Sequence, residues 1–116
     1  EANGRVARML NQAAAAILVC GDLDRAFPPA PDFWVIDAAI AAQNMTLAAN
    51  DLGIGSVWLG TWPDEKRVKR QAAIFQLPET IVPHSILALG YPAEDIDMRA
   101  VRPSRYEENR VHVNQW

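Results

Sequence analysis

The stretch Phe33–Leu52, FWVIDAAIAAQNMTLAANDL, limits what this chain can fold into more than any other. It reads as one helix, about 30 Å long at ~1.5 Å per residue. Pro31 and Asp32 mark its start, because Asp is a good N-cap and a helix does not run back through proline. Gly53 marks its end, where a left-handed C-terminal residue is expected. The apolar residues Phe33, Trp34, Val35, Ile36, Ile40, Met45, Leu47 and Leu52 point in several directions, and alanines fill much of the rest. A helix that is apolar nearly all round is buried on several sides. The sequence therefore predicts a core helix whose alanines admit close neighbours. Asp37, Gln43, Asn44, Asn50 and Asp51 argue against a membrane span, since each is costly in hydrocarbon.

Around this helix the chain offers short apolar runs. Asn3–Gln12 places Val6, Met9 and Leu10 at helical spacing, as in the last turns of an amphipathic helix. Ala13–Cys20 is a continuous apolar run closed by Gly21-Asp22, which fits a strand covered on both faces, with helix as the competing reading of its alanine-rich start. Pro28, Pro29 and Pro31 impose a loop. Ser56–Gly60 reads as a second buried strand and His84–Tyr91 as a third, with Leu77-Pro78-Glu79 and Pro83 in the connection before it. Between them Asp64 caps a helix to about Phe75, with Val68, Ala72 and Phe75 on one face and Lys66, Arg67, Lys69 and Arg70 toward water. Residues 93–105 are polar and irregular. The end, Glu107–Trp116, alternates Val111 and Val113 with His112 and Asn114, as in a short strand or extended arm.

A chain of 116 residues suits a single domain over residues 1–116. Its net charge of −3 gives no footprint for nucleic acid or acidic membranes, so the basic cluster of the second helix reads as a solvated face. One cysteine, Cys20, cannot form an internal disulfide, which is compatible with a cytoplasmic setting. With histidines only at 84 and 112, no metal site is expected. The chain starts at Glu1, inside what reads as a helix already under way, and a fragment of a longer protein is the expectation.

Catalytic motifs are missing. Gly53-Ile54-Gly55 has neither the third glycine nor the strand-to-helix order of a phosphate loop, and Ser56, Ser85 and Ser104 stand in no nucleophile elbow. Cys20 reads as an inert thiol, and Asp37 as a partnered or half-exposed carboxylate as readily as a functional acid. No catalytic residue is assigned. Two features stand out as binding candidates. Trp58, Leu59, Gly60 and Thr61 place flat apolar side chains before a glycine whose amide can approach a planar ligand, although core packing explains the same pair from composition alone. Arg102 and Arg105, in a loop after the last strand, have guanidinium forks suited to phosphate, although most loop arginines are merely solvated.

These segments resemble the second half of the FMN-dependent nitroreductase family. The resemblance runs through Trp34, Asp37-Ala38, Ala41-Ala42-Gln43-Asn44-Met45 and Leu47-Ala48-Ala49, then Leu52-Gly53-Ile54-Gly55-Ser56. It continues in Leu77-Pro78-Glu79, Ala88-Leu89-Gly90-Tyr91-Pro92 and the close Arg110-Val111-His112 with Trp116. It implies an α+β fold, an α/β/α sandwich on a mainly antiparallel sheet, with a long buried central helix and a swapped C-terminal arm. It also implies a homodimer with FMN at the subunit interface. Trp58, Leu59, Gly60 and Thr61 match the family stretch along one face of the isoalloxazine, with the Gly60 amide best placed for the flavin N5 edge. Arg105 matches the residue that holds the FMN phosphate, with Arg102 the weaker candidate. The family's N-terminal Arg-rich motif and its Pro-Ser-x-x-Asn-x-Gln-Pro loop have no counterpart in this sequence. A C-terminal part of the family domain is thus expected, supplying about half of the cofactor site.

The implied function is an FMN-dependent oxidoreductase that takes electrons from NAD(P)H and passes them, by a ping-pong route, to a nitroaromatic, quinone or related acceptor. In that setting the protein positions and tunes the flavin, and the hydride chemistry belongs to the cofactor. The alternative is a non-catalytic flavin-binding or assembly partner. A third reading is a small α+β interaction domain without flavin. The colour of the protein, and its bleaching by a nicotinamide donor, separates the three.

Overall fold

The computed structural model describes residues 4–97, 100 and 103–116. Three strands and two α-helices alternate along the chain: β1 (Ala15–Asp22), α1 (Trp34–Asp51), β2 (Gly55–Gly60), α2 (Glu65–Phe75) and β3 (Ile81–Gly90). The strands form one antiparallel sheet in the order β1-β3-β2, so the last strand lies in the middle. This is an α+β fold with an antiparallel sheet, as the sequence implies.

β3 runs through the core, buried continuously from Pro83 to Ala88. It starts earlier than the sequence suggests. Pro83 lies inside it, opposite Cys20, where the register with β1 steps: Val19 faces Ser85 and Cys20 faces Pro83, passing over His84. Proline has no N–H for the ladder, and an irregularity is where a central strand tolerates one. β1 and β2 are not covered on both faces as expected. Ala15 to Ile17, Val57 and Trp58 are exposed, because the helices of this chain cover only part of the sheet.

One face packs on α1. Trp34, Ala38 and Ala42 meet Val19 and Leu87, with Val35, Met45 and Val82 at the margin. The indole of Trp34 lies flat on Gly21: a Cβ there would meet its Cε3 at 2.3 Å. No other residue leaves room for that ring. The other face packs on a 3₁₀ helix, Gly4–Asn11, through Ala7, Leu59 and Ile86, with Leu10 and Leu18 beside them. The expected N-terminal helix is therefore present in its tighter form. The Val6 side chain, expected on its apolar face, lies outside the described residues.

The helix α1 has the predicted position, but its surroundings differ from those expected. Pro31–Phe33 form a 3₁₀ turn ahead of it, so Asp32 lies within that turn and Phe33, without a side-chain bond, is the N-cap. Gly53 closes the helix with φ +73°, the left-handed conformation that glycine adopts freely. Burial is confined to one stripe at helical spacing, Trp34, Ala38, Ala42 and Ala49. Ile36, Ile40 and Leu47 are 53%, 55% and 60% exposed. The expectation of burial on several sides fails because the described residues set one sheet face against the helix and leave Ile36, Ile40 and Leu47 exposed.

In α2, Asp64 is the N-cap as predicted, accepting from the Lys66 and Arg67 amides. Its inward face is different: Gln71 is fully buried, while Phe75 is half exposed. Beyond β3 the chain runs through exposed, irregular backbone with one 3₁₀ turn, Glu108–Arg110, and no strand forms among the described residues there. His112 and Trp116 stack on each other, ring centroids 4.5 Å apart, and Trp116 is otherwise fully exposed. Among the described residues no helix is long and apolar enough to cross a membrane.

Candidate functional site

The candidate residues of the sequence meet at the corner where β2 leaves the sheet. β2 pairs with β3 as far as Gly60 opposite Ser85. The chain then turns through Thr61 and Trp62, passes a cis Trp62–Pro63 bond and enters α2 at Asp64. Two consecutive amides, Thr61 N–H and Trp62 N–H, donate to the carbonyl of His84 at 3.1 and 3.0 Å. The Asp64 amide donates to the Thr61 carbonyl at 3.1 Å. From α2, Arg67 Nη1 donates to the Gly60 carbonyl at 3.1 Å, and Arg67 Nε pairs with Asp64 Oδ2 at 3.2 Å. One turn further on, Gln71 Nε2 donates to Thr61 Oγ1 at 2.7 Å. The corner is thus held from β3 on one side and from α2 on the other.

Strand alternation divides the four candidate residues. Leu59 stands opposite Ile86 and joins the core under the N-terminal turn. Trp58 stands opposite Leu87, on the α1 side, and is 37% exposed. Two successive strand side chains cannot form one wall, so the expected Trp58–Leu59 surface is not made; Trp58 and Gly60, two apart, share a face. A Cβ at Gly60 would meet nothing within 4 Å, so the space above it is open. Thr61 points the other way, fully buried on Gln71. The surface presented outward is the Trp58 indole and the space above the Gly60 Cα.

Aromatic rings back this surface. His84 lies 6.0 Å from the ring of Trp58 and 6.1 Å from that of Trp34, and Trp34 meets Trp62 edge-on at 5.0 Å. Burial disfavours the charged ring and lowers the His84 pKa below its ordinary 6.5. Its Nδ1 is 3.2 Å from Ser85 Oγ. Away from the corner, Cys20 has its pKa raised by burial, in keeping with an inert thiol. It lines a groove of about 460 Å³ with Arg25, Trp34 and the exposed Asp37. An apolar groove of about 380 Å³ lies near the other end of β2, lined by Met9, Val57, Ala88 and Tyr91. Neither reaches Gly60, and the corner is an open surface.

Arg105 is not brought to it. Arg105 is exposed in the tail, in a turn where the Tyr106 amide donates to Ser104 Oγ at 3.1 Å. Among the described residues no hydrogen bond or ion pair joins it to the corner. Arg102 lies outside the described residues. Arg67, Gln71 and His84 are the functional candidates that sequence reasoning passed over. A signal existed for the first two: they are four apart in a helix, hence on one face, and that face follows the corner directly.

Comparison with known proteins gives this corner its context. The model of the nitroreductase family matches residues 3–91. The chain belongs to that family. A curated nitroreductase relative from Methanothermobacter thermautotrophicus, named "Putative NADH dehydrogenase/NAD(P)H nitroreductase", is 41% identical over 108 residues, covering 93% of this chain and 53% of its own length. A crystal structure from Clostridium acetobutylicum superimposes with a TM-score of 0.87 at 32% identity, over 98% of this chain and 66% of that one. An FMN-dependent nitroreductase from Clostridium difficile gives a TM-score of 0.74 at 27% identity, over 90% of this chain and 59% of that one. The chain therefore has the nitroreductase fold and spans about half the length of the first of these relatives.

Proposed function

We propose that this protein is an FMN-dependent oxidoreductase that takes electrons from NAD(P)H and delivers them to a nitroaromatic, quinone or related acceptor. The observation that carries this reading is the pinned corner, an exposed indole at Trp58 on the same strand face as Gly60, where a Cβ would meet nothing within 4 Å. A flat apolar ring beside a glycine with space above it fits one side of an isoalloxazine. The residues present fit FMN as one side of its site. Trp58 and Gly60 would hold the ring, with Leu59 and Thr61 fixing the backbone beneath, and Arg105 or Arg102 would hold the phosphate as a charge-assisted fork. FMN, when bound, supplies the two-electron chemistry between donor and acceptor in alternating turns. The chain itself orients the ring, excludes water from its face and keeps the edge rigid. Support comes from the relatives, which are named as an NAD(P)H nitroreductase and an FMN-dependent nitroreductase.

We further infer a cytoplasmic homodimer with the flavin between subunits. Supporting it are the uncovered apolar side chains of α1 and the exposed tail residues Tyr106, Val113 and Trp116. A non-catalytic flavin-binding partner is the second reading, favoured by a corner that forms one side of a site. The absorbance spectrum of the purified full-length protein, followed by anaerobic NADH or NADPH, tests both. A flavin band that bleaches supports the enzyme, a band that persists with both donors supports the partner, and no band after reconstitution with FMN rejects both.

A further inference from the structure

We propose that Arg67 is a positioning residue for the flavin edge: its guanidinium, bonded at once to the Gly60 carbonyl and the Asp64 carboxylate, fixes the plane of the Gly60–Thr61 peptide. The proposal rests on the FMN reading for its link to the cofactor, and on geometry alone for the brace. The peptide in question is held at both ends. Its carbonyl accepts from Arg67 Nη1 at 3.1 Å, and its N–H donates to the His84 carbonyl at 3.1 Å. A cation on the carbonyl polarises the amide and strengthens the bond its N–H makes, so the two contacts reinforce each other. Gly60 has no side chain of its own to hold this plane, and open space lies above it.

Arginine suits this place for a geometric reason. Its planar fork reaches two acceptors in fixed directions, here Gly60 O through Nη1 and Asp64 Oδ2 through Nε. Lysine has the same charge but no fork. Asp64 is itself the cap of α2, so the carboxylate that starts the helix also aims the guanidinium. The neighbouring Lys66 side chain is exposed and serves as the control.

The test uses the full-length protein with Arg67→Ala, Arg67→Lys and Lys66→Ala, each checked for folding by far-ultraviolet circular dichroism. Without added flavin, hydrogen exchange at the Thr61 and Trp62 amides should quicken roughly tenfold in Arg67→Ala and stay unchanged in Lys66→Ala. With FMN, Arg67→Ala should bind roughly three- to tenfold more weakly, the size of a partly exposed charge-assisted bond. Its bound flavin should show an altered visible dichroism. Arg67→Lys should keep the fold without restoring that signature, and it carries the test if the alanine variant unfolds. Wild-type exchange rates in Arg67→Ala would overturn the brace. Faster exchange with unchanged FMN affinity and dichroism would overturn its link to the flavin. A wild-type protein that takes up no FMN would overturn the flavin reading and that link together, while exchange still decides the brace.

Discussion

The corner at residues 58–64 and the tail at residues 103–116 are both assigned by the family resemblance to the same cofactor, yet this chain treats them in opposite ways. The corner is fixed by bonds to β3 and α2, and one of its side chains, Thr61, is fully buried. Among the described residues the tail's bonds are local, such as the Arg110–Glu107 ion pair at 2.7 Å and the His112–Trp116 stack. Preorganisation within one chain lowers the cost of ordering a ligand; an arm held by local bonds alone is ordered by what it meets. Under the proposed function, the corner would orient the ring and the tail would close the site.

Four substitutions or titrations would break or sharpen this contrast. The largest effect should come from Trp34→Ala, which removes the ring that covers Gly21 and braces Trp62; a loss of about 3–5 kcal/mol in urea denaturation is expected. A loss below 1 kcal/mol would mean that the corner does not depend on its backing. Gln71→Ala should cost about 1–3 kcal/mol, because it strips the buried Thr61 hydroxyl of the donor at 2.7 Å. Arg105→Ala should leave unfolding unchanged and weaken FMN roughly tenfold in a flavin titration. Unchanged FMN retention would remove the tail from the cofactor site. Smallest of all, Trp116→Ala should shift stability by less than about 0.5 kcal/mol in dilute protein, where no partner orders the tail.

A pH titration adds a signed check. The folded His84 has a lowered pKa, so the unfolded chain binds its proton first as pH falls below the ordinary 6.5. Stability should be complete above that value and decline below it, until the lowered folded pKa is passed. His84→Gln should flatten the decline.

Much of this was legible in the sequence where a local rule decides the outcome. Gly53, the Asp64 cap and the α1 span follow from backbone chemistry, and the three strands from apolar runs between turn residues. What escaped depends on partners distant in the chain. Pro83 reads as a breaker until β1 offers an irregularity opposite it. Arg67 reads as solvated until Gly60 is seen beneath it, and nothing local pairs Thr61 with Gln71 of α2. The α1 surface misled for another reason. Its composition records all the surfaces that cover the helix, and this chain supplies one.

The contact between Trp34 and Gly21 ties two positions of the chain to a shared fate. Because the ring occupies the volume where any side chain at residue 21 would begin, neither site can vary alone: alanine at 21 displaces the indole, and a smaller residue at 34 leaves a hole over β1. A substitution at one should be tolerated only alongside its counterpart at the other. In a collection of relatives the two should change in step, glycine with a large flat ring, a bulkier residue with something smaller.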